Sequence, residues 1–129
     1  MTEFWVDGIP RPQGSKKAFN RGGRIVLVEA SKGLPLWRQA IIDATSTVNT
    51  QHDGPIRVTL QFFVEQPKSV TRKLPSVAPD LDKLIRAVFD ALTISKVIKD
   101  DALVCEVIAS KEYSTAPGVL IRITDLLYA

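Results

Sequence analysis

Strict alternation governs the stretch PIRVTLQFFVE: Ile56, Val58, Leu60, Phe62 and Val64 fall on one side of the chain, Arg57, Thr59 and Gln61 on the other. A period of two is that of a β-strand with one apolar face. Two helical patterns supply partners for that face. Leu81, Leu84, Ile85, Val88 and Leu92 stand at i, i+3, i+4, i+7 and i+11, which makes one apolar stripe on a helix and leaves Lys83, Arg86 and Asp90 on its polar side. Trp37, Ala40, Ile41, Ala44 and Val48 recur at helical intervals over residues 35–49, with Pro35 suited to the first turn.

The remaining elements follow from composition and turn chemistry. EFWVDG predicts a first strand ending at Gly8, and RIVLVEA, residues 24–30, a second one that could pair with it. DALVCEVIASKEY and GVLIRIT read as two closing strands joined by STAPG as a hairpin turn. The order ββαβαββ predicts an α/β (α+β) fold, a mixed β-sheet with two main helices packed on it. The length, 129 residues, predicts one domain over residues 1–129.

With 45% hydrophobic and 24% charged residues the chain has the composition of an ordinary globular protein. No stretch approaches a membrane span, and MTEFWVDGIPRPQG has no secretion signal's basic start and apolar run. A cytoplasmic protein is expected. Cys105 has no second cysteine to pair with, and the one histidine, His52, leaves too few ligands for zinc. Trp37 and Phe62 are expected in the core, Cys105 as a small buried residue on a strand, and His52 solvated in the turn TQHDGP.

Charge is unevenly spread. The net charge is +3, and RPQGSKKAFNRGGR, read as a loop, gathers Arg11, Lys16, Lys17, Arg21 and Arg24 with no acid. Clustered cations among Gly and Pro suit a nucleic-acid backbone; a solvated loop is the bland alternative. Phe19 in the same segment could stack on a base, although packing on its own loop is the simpler role. The proline-punctuated loop QPKSVTRKLPSVAP adds Arg72 and Lys73, and loops of this length are usually functional or mobile. GIPRPQGSK is no phosphate-binding P-loop, because its glycine spacing is wrong and its prolines remove amide donors.

Against this basic background, PDLDKLIRAVFDAL places Asp80 and Asp82 at the start of the second helix, and Asp100 and Asp101 follow its end. As a function-free reading, Asp80 caps the helix and Asp82 favours its dipole. The second acidic pair is then left unexplained. A helix over residues 81–92 is roughly 18 Å long at about 1.5 Å per residue, and residues 93–100 stretch to roughly 26 Å at about 3.3 Å per residue. An extended return would bring one of the later acids back to the helix mouth. Asp90, roughly 12 Å along the helix from Asp82, fails that test and reads as a surface charge. Carboxylates converging without enough cations call for a divalent ion, and oxygen ligands alone favour Mg²⁺ or Mn²⁺. Arg86, four residues after Asp82, can place a guanidinium beside them, as an ion pair or to neutralise charge on a phosphate.

These segments together resemble a family. PDLDKLIRAVFDAL followed by IKDDALV, with GIPRPQGSKKAFNRGGR before them, is similar to the RusA-type Holliday junction resolvases, endodeoxyribonucleases of bacteria and their phages. The resemblance implies a Mg²⁺-dependent homodimer, with no small-molecule cofactor, that binds branched DNA at a four-way junction and nicks two opposed strands in recombination, repair or phage DNA processing. It also implies Asp80, Asp82 and Asp101 as the essential metal-binding acids, choosing Asp101 over Asp100. Arg86 stands where the best-known relative has a lysine; it keeps the charge but cannot give up a proton. Lys83, one turn earlier, is a further cation for DNA. The rival readings are a non-catalytic nucleic-acid-binding domain and a nuclease of flaps or forks.

Overall fold

The computed structural model describes residues 1–14, 16–29 and 32–126, with the backbone alone for residues 16–21 and 24–29. The elements run β1 (Thr2–Asp7), β2 (Lys16–Arg21), β3 (Arg24–Glu29), α1 (Leu34–Ala44), β4 (Ile56–Val64), α2 (Leu81–Ile94), β5 (Val104–Tyr113) and β6 (Gly118–Asp125), with 3-10 turns at Thr45–Thr47 and Asp101–Leu103. The expected α+β class, a mixed sheet with two helices, is what these elements build. Four strands form the sheet in the order β1-β6-β4-β5, in which only β4 and β5 are parallel. No described helix is long and apolar enough to cross a membrane.

The alternation in β4 is realised residue by residue. Ile56, Val58, Leu60 and Phe62 are buried, and the cross-strand partners Val119, Ile121 and Ile123 of β6 extend the same apolar face. Both helices supply the other half of the core: Leu34, Trp37 and Ile41 from α1, and Leu84, Ala87, Val88, Ala91 and Leu92 from α2. Each fully buried aliphatic side chain contributes roughly 1.5–3 kcal/mol, so the stripe on α2 fixes which side of that helix faces solvent. α1 ends earlier than its periodicity suggests, at the 3-10 turn Thr45–Thr47, where the Thr45 hydroxyl donates to the Ile42 carbonyl at 2.6 Å.

Three expectations are corrected. The basic segment is not wholly a loop: β2 pairs with β3, not β1, as a hairpin turning at Gly22 and Gly23 with φ of 57° and 84°. Two consecutive left-handed residues are what a two-residue hairpin turn requires, and Gly-Gly meets that need at no steric cost. The closing strands do not pair with each other. After β5 the Ser114 amide donates to the Val64 carbonyl at 2.9 Å, and Gly8 N–H to the Pro117 carbonyl at 3.2 Å. The chain thus steps across the end of β4 and descends as β6 on its far side. His52, thirdly, is buried, and both its ring nitrogens have partners: Nε2 lies 2.8 Å from Thr2 Oγ1 and Nδ1 2.7 Å from Asp125 Oδ1.

Candidate active site at the head of α2

Asp80 occupies the N-cap position of α2 with extended backbone, φ −69° and ψ 137°, following a cis Ala78–Pro79 bond. Its carboxylate makes no capping hydrogen bond. The side chain is 59% exposed and lies 3.6 Å from Lys83 Nζ. Asp82, in the first turn, is exposed as well. Helix-dipole stabilisation of both acids remains, but the capping role that would make Asp80 purely structural is not taken up. Arg86 is exposed and forms no ion pair among the described residues, so the i,i+4 bridge to Asp82 is not made.

Two anchors hold this end of the helix. Lys111, near the end of β5, donates from Nζ to the Val77 and Pro79 carbonyls at 2.9 Å each, which ties the approach to Asp80 onto the sheet. From the other side the Gln13 amide donates to the Lys83 carbonyl at 3.0 Å, and Arg38 donates to Gln13 Oε1 at 3.1 Å. The N-terminal basic segment is thereby fastened to the acidic helix head. Sequence reasoning missed both residues, because a lone lysine in a strand and a glutamine in a loop carry no signal without the fold.

A groove of about 520 Å³ opens beside this point, lined in part by Pro10, Arg11, Lys32, Pro75, Pro79 and Lys111. Arg11 lies close against Gly33, where a Cβ would come within 2.9 Å of its Nε. Arg72 and Lys73 are exposed on the loop of residues 65–80, whose path is set by Gln66 donating to the Val70 and Arg72 carbonyls at 2.8 and 3.1 Å. Arg72 also reaches the Tyr113 hydroxyl at 3.3 Å. The side chains of Lys16, Lys17, Phe19, Arg21 and Arg24 lie outside the described residues.

The later acids are elsewhere. The return from α2 is not extended: Lys96 takes φ 65°, Ile98 N–H donates to the Leu92 carbonyl at 3.4 Å, and Ile98 bridges to His52. Residues 93–100 thus wrap the tail of the helix, and Asp101 stands where the charge of Asp90 reaches it. Asp90 is half-buried, and its charge is felt by Asp101. Asp90 lies roughly 12 Å along α2 from Asp82. Among the described residues of one chain, no three His, Cys, Asp or Glu side chains gather to hold a metal ion.

Asp100 and Asp101 differ in kind. The Asp100 carboxylate accepts the Ala102 N–H at 3.0 Å as the cap of the 3-10 turn, and that bond, with the one from Asp101, holds it below the usual carboxylate range. Asp101 is pushed above that range by its hydrogen bond to Asp100, then by burial, then by the charges of Asp100 and Asp90. Capping therefore occupies Asp100, while the ionised form of Asp101 is disfavoured by its acidic neighbours. Cys105 is exposed beside them, not buried as expected, at a register shift between β4 and β5.

A family profile described as endodeoxyribonuclease RusA matches residues 7–124. The chain is also 27% identical over 138 residues, 96% of each chain, to a protein of Bacillus subtilis (strain 168) described as uncharacterized protein YqaN.

Proposed function

The chain belongs to the RusA endodeoxyribonuclease family, and on that footing we propose that it is a divalent-metal-dependent endonuclease of four-way DNA junctions, acting as a homodimer of a single-domain chain. The observation that carries this reading is the head of α2, where the Asp80 carboxylate stands in the cap position without capping and Asp82 is exposed beside it.

Asp80, Asp82 and Asp101 are the residues to hold the ion, with Mg²⁺ favoured by an oxygen-only donor set and Mn²⁺ able to substitute. Asp80 and Asp82 are both exposed at the head of α2; Asp101, which within one chain feels the charge of Asp90, is supplied by the second subunit. A bound divalent ion would supply Lewis acidity at the scissile phosphate and favour ionisation of an attacking water. Arg86, free of any ion pair among the described residues, supplies fixed positive charge to the phosphate oxygens and takes no part in proton transfer. Lys83 offsets the charge of Asp80 in the absence of substrate and can turn to DNA. Arg11, Arg72 and Lys73, with Lys16, Lys17, Arg21 and Arg24 of the hairpin, track the backbones of the junction arms.

The test is cleavage of a labelled four-way junction beside linear duplex, flap and fork, with Mg²⁺ or EDTA, for wild type and Asp82→Asn. Paired Mg²⁺-dependent nicks in the junction, reduced at least about 100-fold by Asp82→Asn while binding persists, are expected. Binding without cleavage of any substrate would leave a nucleic-acid-binding domain, and faster cleavage of flaps or forks would move the substrate class.

A further inference from the structure

The groove of about 520 Å³ beside the head of α2 leaves two apolar side chains open to solvent, Ile9 at 51% and Val77 at 49% exposure. Proline supplies much of the rest: Pro10 and Pro75 are buried there, and Pro79 is half-buried. Proline has a fixed φ and no N–H, so this lining is preformed and brings few polar groups that a ligand would have to satisfy. Tyr113 adds an aromatic ring, its hydroxyl reached by Arg72 at 3.3 Å. A concave apolar site of this size with a few placed polar groups holds a small ligand, or one ring system of a larger one.

Charge narrows the choice. Among the described residues that line the groove, Arg11, Lys32 and Lys111 are cations and Glu65 is the one acid. Arg72 and Lys73 stand exposed on the adjoining loop. An apolar peptide has no use for that surplus, whereas a polyanion bearing flat rings matches it. Position narrows the choice further. Pro79 lines the groove and its carbonyl is held by Lys111; Asp80 follows it at a Cα distance of about 3.8 Å.

We propose that the groove is a base-binding pocket: on the function stated above, it receives one unpaired nucleobase of the DNA strand whose phosphate lies at Asp80 and Asp82. The base stacks on Tyr113 and packs against Ile9 and Val77, while Arg11 and Lys32 hold the flanking phosphates. A base inside a continuous duplex is covered on both faces and does not enter. Taking a base out of the stack costs least where pairing and stacking are already interrupted, as they are at a branch point. The groove thereby favours branched over linear DNA without reading its sequence.

The test crosses the groove with the base. The full chain is titrated in EDTA against labelled four-way junctions in which single branch-point nucleotides are made abasic, and affinity is read by fluorescence anisotropy. Loss of one stacked base weakens binding by about 10-fold, so wild type should show that loss at one branch position. Val77→Trp, which fills the groove, should bind intact and abasic junctions equally. Leu74→Trp, on the same loop, 64% exposed and not lining the groove, should behave as wild type. Ile9→Trp fills the groove from the N-terminal segment and repeats the test should Val77→Trp melt below wild type.

Equal abasic losses in wild type and the filled variants, or no loss at any position in wild type, overturns the proposal and leaves the groove to another occupant such as an apolar peptide. Failure to bind junctions overturns it too. If wild type in either case nicks the intact junction with Mg²⁺, the function stands without the pocket. A base-dependent loss confined to the unfilled groove, in a protein that nicks nothing, would uphold the pocket and remove the function.

Discussion

Replacing His52 with alanine probes the latch that joins both ends of the described chain. The ring is 3% exposed, with Thr2 Oγ1 2.8 Å from Nε2 and Asp125 Oδ1 2.7 Å from Nδ1. The ring nitrogens and their two partners make one hydrogen bond on each side of the imidazole. Each bond contributes about 1 kcal/mol net, and lost packing in a closed site adds about 1–2 kcal/mol. The Asp125 side chain is 50% exposed, so water replaces the imidazole there and no orphaned buried charge adds to the sum. The expected loss is about 3–4 kcal/mol. For a chain of 129 residues each kcal/mol lowers the midpoint by roughly 3–5 °C, giving a fall of roughly 9–20 °C by calorimetry. A double-mutant cycle with Asp125→Ala should return a coupling of about 1 kcal/mol. A loss below about 0.5 kcal/mol, well under the usual range for such contacts, would show that the ring merely occupies space and would refute the reasoning.

Three further outcomes are expected. Lys111→Met keeps the apolar stem but removes both carbonyl bonds, costing about 1–2 kcal/mol in urea denaturation; by loosening the approach to Asp80 it should lower kcat for junction cleavage roughly 10–100-fold, with binding little changed in a gel-shift assay. Asp100→Asn retains a cap acceptor for Ala102 and should leave cleavage within a few-fold, whereas Asp101→Asn should abolish it; equal loss in both single-turnover assays would contradict the division of labour between them. Gly118→Ala puts a Cβ against the Val6 carbonyl oxygen and the Trp5 ring and should destabilise by about 1–3 kcal/mol in thermal melts.

The acids at the head of α2 were legible because N-terminal helix position and i,i+4 spacing are local properties that a single pattern displays. The same holds for the alternation of β4 and the stripe of α2, whose periods of 2.0 and 3.6 are set by the backbone itself. The hairpin β2–β3 was legible in part: the two glycines of NRGGR signal a tight turn, but the charged residues before them have low strand propensity and concealed β2. His52 was misread because a turn residue's partners, Thr2 and Asp125, lie at the two ends of the described chain.

Sequence by itself determined the class of fold, the apolar faces and the family to which the acids and cations point. Only the tertiary structure decided that β6 enters between β1 and β4, that Lys111 and Gln13 hold the helix head, and that Asp101 comes within reach of the charge of Asp90. The reach calculation bounded where Asp101 could go, and an upper bound on chain length does not choose a path. The path was chosen by the tail of α2, whose last carbonyls and apolar neighbours Val97 and Ile98 had to be satisfied and buried before the chain could turn into β5.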